Sequence, residues 1–361
     1  MAETKRILCQ GNEAVGYGAI AAGCKFFFGY PITPQNEIPA FFARELPKVG
    51  GEFVQTESEI SSINMLLGAV ASGARAITST SSPGFSLMQE GMSCIHAMEL
   101  PAVVVDVQRG GPGSGSIATG QTDYNLATKS AGHGGVPNFV LAPASVQECH
   151  DLVQLAFHVA EKYRVLCVLL SDAIIGQSAE MLEVKTINFN EQLPTKWWAI
   201  RGSAERKGAR NILDSYMPFN YGSYFPTLKK KWEKIYANEV RCETRFIDDA
   251  ELVIVSWGSS ARISLEAIME SRENGIKVGL VRPITLMPFP ADTIRKSCEK
   301  AKAVIVVEDN QGQMLRDVEW ALGDGAKKVS FVGIYERDMA SGMGLLYPAP
   351  VVKEIKRRAN Q

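Results

Sequence analysis

The run Ala102-Val103-Val104-Val105-Asp106-Val107 decides the fold, because it is apolar at every position except one. A continuous apolar run indicates a strand that is buried on both faces, whereas a half-exposed strand alternates apolar and polar residues. Strands buried on both faces occur mainly in parallel sheets that are covered by helices. Four other strand-like runs lie in the first half, at residues 26–28, 75–80, 139–141 and 165–170.

Helical patterns lie between these strands. One covers 13–22 and follows the candidate cap Asn12, and a second covers 57–72 and stops before a glycine. A third covers 145–162, where Ser145 and Glu148 have the spacing of a capping box. Strands that alternate with helices are typical of a doubly wound α/β domain, which we place at residues 1–180.

The second half changes character twice. Residues 181–245 carry scattered prolines and the pair Trp197-Trp198, and they predict an irregular connector that lies across the first domain. From residue 250 a second series of strands and helices begins, with Leu252-Val253-Ile254-Val255-Ser256 as its first strand. The predicted fold class is therefore α/β, with two doubly wound parallel-sheet domains, the second of them at residues 246–361.

Composition excludes several functional classes. The chain has 361 residues, of which 46% are hydrophobic and 21% charged, and its net charge of −1 gives no sign of a nucleic-acid or anionic-membrane partner. No apolar run is long enough to span a membrane, and the first residues lack a signal peptide, so we predict a cytoplasmic protein. The seven cysteines form no CxxC pair, which argues against an iron–sulfur cluster held by this chain alone.

Two glycine patterns resemble ligand motifs without matching them. Gly16-Tyr17-Gly18 lies inside a helical pattern rather than in a strand-to-helix turn, so we interpret it as a site of close helix packing instead of a dinucleotide fingerprint. The glycine-rich run at 110–120 lacks the Lys-Ser/Thr ending of a P-loop.

Three short polar stretches follow apolar runs, and they carry the candidate chemistry. They are Tyr30-Pro31-Ile32-Thr33-Pro34, Gln55-Thr56-Glu57-Ser58-Glu59 and Gln108-Arg109-Gly110-Gly111-Pro112. Because ligands in parallel sheets lie beyond the carboxyl ends of the strands, we expect a hydroxyl, a carboxylate and a guanidinium to meet there. Thr33 stands between prolines that restrict its turn, and a guanidinium such as that of Arg109 binds carboxylates through two hydrogen bonds.

Each of these residues also has a simpler interpretation. Thr33 can belong to a rigid turn, Arg109 can be a surface arginine, and Glu59 can favour the dipole at the start of its helix. Alternatively, burial favours the protonated form of a carboxyl at the Glu59 position, and such a group can hydrogen-bond an aminopyrimidine ring. Glu57, two residues earlier, competes for that role, and the residues alone leave these alternatives open.

Taken together, the motifs are similar to those of a known family. Over almost its whole length the chain resembles the α subunit of 2-oxoacid:ferredoxin oxidoreductases, most closely of the 2-oxoisovalerate (branched-chain) type. The resemblance is carried by Gly29-Tyr30-Pro31-Ile32-Thr33-Pro34, Glu57-Ser58-Glu59-Ile60-Ser61-Ser62-Ile63-Asn64, Gly73-Ala74-Arg75-Ala76, Thr80-Ser81-Ser82-Pro83-Gly84, Gln108-Arg109-Gly110-Gly111-Pro112-Gly113 and Glu308-Asp309-Asn310-Gln311-Gly312-Gln313.

The resemblance implies domain roles and site residues. Residues 1–180 would form the pyrimidine-binding domain of a thiamine diphosphate fold, and 246–361 a transketolase C-terminal-like domain. Glu59 would be the glutamate that contacts N1′ of the thiamine ring, which leaves Glu57 outside the role. The implied catalytic residues are Glu59, Thr33 and Arg109, with Thr33 and Arg109 also binding substrate. The implied cofactor-binding residues are Pro31, Ile32 and Glu59.

The resemblance also implies partners. Thiamine diphosphate would be shared with a β subunit that carries the Mg²⁺–thiamine diphosphate motif, and iron–sulfur clusters would lie on partner chains. Gly323-Asp324-Gly325 resembles the start of that motif, yet no asparagine follows until Asn360, so we predict no metal on this chain. Further implied partners are γ and ferredoxin-like subunits, ferredoxin and coenzyme A, with homodimer contacts within a larger assembly.

The implied reaction is oxidative decarboxylation of a 2-oxo acid to its acyl-CoA, with electrons passing to ferredoxin. The sequence Arg109-Gly110-Gly111-Pro112-Gly113-Ser114-Gly115 resembles the branched-chain type and differs from the pyruvate and 2-oxoglutarate types, so 2-oxoisovalerate is the preferred substrate. The alternatives are a pyruvate- or 2-oxoglutarate-type subunit, one half of a non-oxidative 2-oxo acid decarboxylase, and a non-catalytic assembly subunit.

Overall fold

A computed structural model describes residues 5–129, 132–200, 202, 221–337 and 345–361. Within these residues the chain forms sheets of two, seven and five strands. The strands are β1 (Lys5–Gln10), β2 (Phe26–Gly29), β3 (Glu52–Gln55), β4 (Ala76–Thr80), β5 (Ala102–Gln108), β6 (Phe139–Leu141), β7 (Leu166–Asp172), β8 (Ala179–Val184), β9 (Cys242–Arg245), β10 (Leu252–Ser256), β11 (Val278–Pro283), β12 (Thr285–Met287), β13 (Ala303–Val307) and β14 (Val329–Val332).

The helices lie between the strands, as the sequence predicts for an α/β fold. They are α1 (Gly11–Ala21), α2 (Glu37–Glu45), α3 (Glu59–Ala71), α4 (Ser82–Leu87), α5 (Gln89–Ala97), α6 (Tyr124–Lys129), α7 (Val146–Tyr163), α8 (Ala173–Gln177), α9 (Tyr221–Asn238), α10 (Gly258–Glu273), α11 (Ala291–Cys298), α12 (Gln313–Leu322) and α13 (Pro348–Ala359). None of the helices in the described part of the chain is both long and apolar enough to cross a lipid bilayer.

The seven-stranded sheet has the order β12-β6-β7-β5-β4-β2-β3, and its strands are parallel except for β12. Every residue of β5 is buried. Val103, Val105 and Val107 belong to the core that contains α1, α2 and α7, whereas Ala102 and Val104 belong to the core that contains α3, α4 and α5. The continuous apolar run therefore reflects burial on both faces.

Close packing of α1 against α2 and α7 accounts for Gly16-Tyr17-Gly18. A Cβ atom on Gly18 would collide with the main chain of His150, and one on Gly16 would overlap the ring of Phe41. The packing interpretation of this glycine pair is confirmed. Asn12, however, does not cap α1, because the helix already begins at Gly11. Its side chain is buried and instead contacts the turn after β2.

The five-stranded sheet has the order β14-β13-β10-β11-β9, with β9 antiparallel to its neighbour and the others parallel. The two large sheets share one apolar core, in which Val104 and Leu170 belong to the same cluster as Val253 and Val255. In addition, β12 leaves the second half of the chain and pairs with β6 at the edge of the first sheet. The halves are thus interlocked.

The predicted connector is only partly irregular. It contains the helix Tyr221–Asn238 and the strand Cys242–Arg245, which pairs with β11. We did not expect the helix because Pro226 lies inside it, but a proline near the start of a helix removes few hydrogen bonds. Trp232 and Ile235 anchor the helix on the core around α7. The connector also carries several charged residues between positions 201 and 210. Apart from residue 202, these positions lie outside the described residues.

Candidate functional site

Arg109 follows the last residue of β5 and binds the turn that follows β2. Its Nη1 donates a hydrogen bond to the main-chain oxygen of Thr33 at 2.9 Å, and its Nη2 donates one to the main-chain oxygen of Ser114. Its Nε is buried and has no hydrogen-bond partner among the described residues. Arg109 therefore ties the turn of Thr33 to the glycine-rich loop at 110–120.

The buried side-chain amides of Gln35 and Asn12 hold the Thr33 turn through hydrogen bonds. The main-chain N–H of Gln35 donates to the oxygen of Ile32 and its side-chain amide to the oxygen of Tyr30, both at 3.1 Å, while its Oε1 accepts from Ser79 Oγ at 2.5 Å. The Asn12 side chain donates to the oxygen of Pro34 at 2.8 Å. These contacts fix the shape of the turn.

The residues of the turn differ in their exposure to solvent. Pro31 is exposed, Ile32 and Thr33 are half-buried, and Pro34 is buried. The Thr33 hydroxyl accepts a single weak hydrogen bond, from Asn36 at 3.4 Å. The turn therefore presents Pro31, Ile32 and the Thr33 hydroxyl away from the sheet.

Glu59 is the first residue of α3, which Ser58 caps by accepting a hydrogen bond from the main-chain N–H of Ser61. Its side chain is buried, with 5% of the residue exposed, and its carboxylate receives no hydrogen bond from the rest of the described chain. Glu57 is exposed and accepts a hydrogen bond from the Ser61 hydroxyl, which lowers the pKa of Glu57. Of these two glutamates, Glu59 is therefore the one whose carboxylate is both buried and without a hydrogen-bond partner in the described chain.

The segment Thr80-Ser81-Ser82-Pro83-Gly84 lies between Glu59 and Arg109 and contacts both. A Cβ atom on Gly84 would come within 3.0 Å of both Thr80 Oγ1 and Glu59 Oε1, so only glycine fits beside the carboxylate. On the other side, Ser82 Oγ accepts a hydrogen bond from the main-chain N–H of Arg109 at 3.0 Å. The structure thus brings Thr33 and Arg109 into direct contact and connects Glu59 to them through this segment.

Two buried aspartates support the segment, Asp106 on β5 and Asp123 immediately before α6. Asp106 accepts from the main-chain N–H of Ser82 at 3.0 Å, and Asp123 accepts from the Ser82 hydroxyl at 2.5 Å. Burial raises the pKa of Asp106 well above the ordinary carboxyl value, and the neighbouring Asp123 raises it further. Burial raises the pKa of Asp123 to about 6. The pair therefore retains a proton under conditions in which an exposed carboxyl loses it.

The glycine-rich loop after Arg109 rests on the second sheet. The side-chain amide of Gln121 donates to the main-chain oxygen of Trp257 at 3.0 Å, while its Oε1 accepts from Ser260 Oγ at 2.7 Å and from the main-chain N–H of Asp309 at 3.0 Å. Arg337 forms a buried ion pair with Asp309 and donates to the main-chain oxygen of Thr119 at 2.6 Å. Residues of both halves of the chain therefore position the loop.

Several residues of this arrangement escaped the sequence reasoning. Asp106 carried a visible signal, since it is the only charged residue in an otherwise apolar strand. Gln35 and Asn12 carried none, because a polar side chain next to a turn or a helix start is usually exposed. Ser82 was visible only as part of the family motif, without a role.

Comparison with known proteins identifies the class and then the family. Residues 17–231 match the family model described as pyruvate flavodoxin/ferredoxin oxidoreductase, thiamine diP-binding, and 250–359 match the pyruvate:ferredoxin oxidoreductase core domain II model. The chain is therefore a thiamine diphosphate-binding α/β protein. Because the first match alone covers more than half of the chain, it belongs to the family of 2-oxoacid:ferredoxin oxidoreductase subunits.

Individual relatives agree with this assignment. The ketoisovalerate oxidoreductase subunit VorB of Methanothermobacter thermautotrophicus is 46% identical, with 88% of this chain and 90% of the relative aligned. The 2-oxoglutarate synthase subunit KorA of Methanocaldococcus jannaschii is 38% identical, with 86% of this chain and 90% of the relative aligned.

A solved structure has the same fold. It is the 2-oxoglutarate:ferredoxin oxidoreductase of Magnetococcus marinus with 2-oxoglutarate, coenzyme A and succinyl-CoA bound, which is 29% identical and aligns with a TM-score of 0.84. The alignment covers 98% of this chain but 65% of that longer chain. The predicted fold class and family are thereby confirmed, and the chain is a subunit of enzymes that function as complexes.

Proposed function

We propose that this chain supplies the pyrimidine half of a thiamine diphosphate site in an enzyme that oxidatively decarboxylates branched-chain 2-oxo acids, 2-oxoisovalerate above all. The observation that carries the proposal is Glu59, a buried carboxylate without an internal partner at the carboxyl edge of a parallel sheet. A buried carboxylate is costly unless something pairs with it. A ring nitrogen of the cofactor would provide that pairing.

The residues around Glu59 fit this cofactor. Gly84 leaves room beside the carboxylate, and the half-buried Ile32 and exposed Pro31 offer an apolar surface to a planar ring. In the proposal, Glu59 holds N1′ of the aminopyrimidine and keeps a proton at that atom, while Pro31 and Ile32 orient the ring. Bound thiamine diphosphate supplies the carbanion chemistry that 2-oxo acid decarboxylation requires.

We assign Thr33 and Arg109 to the substrate side of the site. The Thr33 hydroxyl is free to donate to a carboxylate or carbonyl oxygen, and the guanidinium of Arg109 attracts an anion. Because two of the Arg109 donors bind main-chain oxygens of Thr33 and Ser114, its role is both to place the turn and to provide positive charge. Both residues therefore act on the 2-oxo acid or on the cofactor bound to it.

The proposal requires other chains. Thiamine diphosphate would be shared with a β subunit that holds Mg²⁺ and the diphosphate, and iron–sulfur clusters on partners would carry electrons to ferredoxin. The γ and ferredoxin-like subunits, coenzyme A and contacts between two copies of this chain complete the assembly, which we place in the cytoplasm. Within the chain, residues 1–180 would be the pyrimidine-binding domain and 246–361 the transketolase C-terminal-like domain.

The choice of substrate rests on similarity and on one motif. The ketoisovalerate relative is more similar than the 2-oxoglutarate relative, at 46% against 38% identity. The glycine-rich sequence after Arg109 is also of the branched-chain type. This sequence forms the glycine-rich loop, in which the main-chain oxygen of Ser114 accepts a hydrogen bond from Arg109. The loop can therefore influence which 2-oxo acid fits beside the guanidinium.

A substrate panel on the assembled complex tests the proposal. The chain, co-expressed with its β, γ and ferredoxin-like partners, should reduce a viologen dye in the presence of coenzyme A and 2-oxoisovalerate. Its kcat/KM for 2-oxoisovalerate should exceed that for pyruvate and 2-oxoglutarate. Preference for 2-oxoglutarate would reverse the substrate assignment, and decarboxylation without dye reduction would indicate a non-oxidative enzyme.

Glu59→Gln and Glu57→Gln form a matched pair on the same complex. Glu59→Gln should lower kcat at least about 100-fold, because the proton at the aminopyrimidine is then no longer held by a carboxyl group. Glu57→Gln should stay close to the wild-type rate, since Glu57 is exposed. Equal rates for Glu59→Gln and wild type, with the complex intact by size-exclusion chromatography, would remove Glu59 from the mechanism.

A further inference from the structure

The hydroxyl of Thr80 is buried next to Glu59 and has no hydrogen-bond partner. Thr80 is fully buried at the end of β4, and Oγ1 makes no hydrogen bond within the described chain. Unpaired buried hydroxyls are rare, because each one loses its hydrogen bonds to water without replacement. Nothing in the roles assigned above uses this group.

Gly84 brings the Thr80 hydroxyl and the Glu59 carboxylate towards the same point. A Cβ atom on Gly84 would overlap both Thr80 Oγ1 and Glu59 Oε1, so the two oxygens converge on the space that the missing side chain leaves. The carboxylate can only accept a hydrogen bond when it is ionised, and the hydroxyl can donate one. The two unpaired groups are therefore chemically complementary.

We infer that Thr80 is a positioning residue, whose hydroxyl would donate to the Glu59 carboxylate and orient it when the cofactor is bound, a hydrogen bond that the described chain alone does not make. The inference deepens the proposed function and rests on it. A hydroxyl on one side and a ring nitrogen on the other give each carboxylate oxygen one partner. The carboxylate is then held in a single orientation instead of rotating within its pocket.

The segment that follows Thr80 is rigid enough for such a role. The main-chain N–H of Ser82 donates a hydrogen bond to Asp106, and its hydroxyl donates one to Asp123. The same hydroxyl accepts a hydrogen bond from the main-chain N–H of Arg109. Thr80 itself stands opposite Asp106 in the register of β4 and β5. The position of the Thr80 hydroxyl is therefore set by the sheet and not by a mobile loop.

Thr78 provides a matched control. It lies two residues earlier on β4, so its side chain points to the same face of the sheet, and its hydroxyl is likewise buried and without a partner. The three atoms nearest to a Cβ on Gly84 belong to Thr80 and Glu59, and none of them belongs to Thr78. Thr78→Val and Thr80→Val thus make the same chemical change, one step apart along the same strand.

The test measures deprotonation of the cofactor and not only turnover. In the complex loaded with thiamine diphosphate, deuterium exchange at C2 of the thiazolium ring is followed by quenched-flow nuclear magnetic resonance. Thr80→Val should slow exchange about tenfold, which corresponds to about 1.4 kcal/mol. The Kd of thiamine diphosphate, measured by calorimetry, should change much less. Thr80→Ser should restore the wild-type rate, and Thr78→Val should retain it.

Each outcome separates the inference from the proposed function. Wild-type exchange in Thr80→Val, or equal slowing in Thr78→Val, would overturn the role of Thr80. Thr80→Ala removes the same hydroxyl with a smaller side chain, so agreement between it and Thr80→Val excludes a packing defect. If Glu59→Gln loses exchange while Thr80→Val keeps it, only the Thr80 inference fails. If Glu59→Gln also keeps it, the proposed function of Glu59 fails as well.

Discussion

At the scale of single residues, the main feature is a chain of buried polar groups that runs from Glu59 to Arg109. Thr80 and Gly84 lie at one end and Ser82 is in the middle, where it donates hydrogen bonds to Asp106 on β5 and to Asp123 before α6. Burying two carboxyls side by side is costly when both are ionised. Burial and the neighbouring Asp123 raise the pKa of Asp106, which favours its neutral form, and Ser82 donates a hydrogen bond to each of the two carboxyls.

The raised pKa values of Asp106 and Asp123 predict that the free energy of unfolding depends on pH. Asp106 and Asp123 have raised pKa values in the folded chain, so the folded state binds more protons than the unfolded state above the ordinary carboxyl range. The contribution of the pair to the free energy of unfolding is therefore present below about pH 4 and declines as pH rises, and the part due to Asp123 is lost as pH rises through about 6.

Asp106→Asn keeps a neutral polar group in place and should reduce this loss by about 1 kcal/mol or more between pH 4 and 6. The measurement is urea unfolding of wild type and variant across that range. The exposed variant Asp249→Asn, whose carboxylate pairs with Arg272 at the surface, should leave the loss in place. A variant slope equal to that of wild type would show that Asp106 titrates normally.

The sequence predicted the residues of the site better than their contacts. Thr33, Glu59 and Arg109 were chosen because they follow strands, and the sheet does bring Thr33 and Arg109 together. That Arg109 uses two donors on main-chain oxygens could not be predicted, since it depends on how two separate loops approach each other. Their catalytic roles remain predictions.

At the scale of elements, continuous apolar runs located the fully buried strands within one or two residues, whereas the partly exposed β1, β3 and β8 have no such run and were not predicted. The run at 102–107 became Ala102–Gln108, and the run at 252–256 became Leu252–Ser256. Helix starts were less predictable, because caps compete with tertiary contacts. Ser145 caps α7 as expected, but the Glu148 carboxylate bonds the N–H of Ala144 and pairs with Arg282 of the second half.

This ion pair is the basis of a second prediction. Arg282 is buried and makes two hydrogen bonds to Glu148, at 2.6 and 2.9 Å, and one to Glu243 at 2.6 Å. Arg282→Met leaves Glu148 without its cation and removes one of the two arginine partners of Glu243, so it should lower the free energy of unfolding by about 3 kcal/mol. Denaturant titration measures the change.

A surface ion pair serves as the control for Arg282→Met. Arg357 pairs with Glu354, three residues earlier on α13, and its own side chain is half-exposed, so Arg357→Met should change the free energy of unfolding far less. Similar decreases in the free energy of unfolding in the two variants would mean that the Arg282 ion pairs between the two halves stabilise the chain no more than a surface ion pair does.

At the scale of the whole molecule, the two halves form a single structure. The shared core includes Val104 from the first sheet and Val253 from the second, and β12 pairs with β6. Gln121 and Arg337 add buried hydrogen bonds between the halves. The sequence predicts two domains because the strand patterns of the two halves are similar, and such local patterns do not show how much core the two domains share.

Interlocking predicts that residues 246–361 do not fold alone. Without β6, β12 loses its partner strand, and apolar residues such as Val255 and Trp257 lose part of their core. The isolated fragment should show no cooperative thermal transition by circular dichroism, whereas the full chain should unfold in one. A sharp transition in the fragment would contradict this expectation.

The position of β12 has a consequence for the evolution of such genes. A break of the gene near residue 246 would separate β12 from the sheet whose edge it completes, so both products would expose unpaired strands. Recombination between related genes at that point would likewise join a β12 to a β6 with which it had not co-evolved. Inheritance of the two halves as one unit is therefore favoured, and exchange among relatives should involve whole subunits.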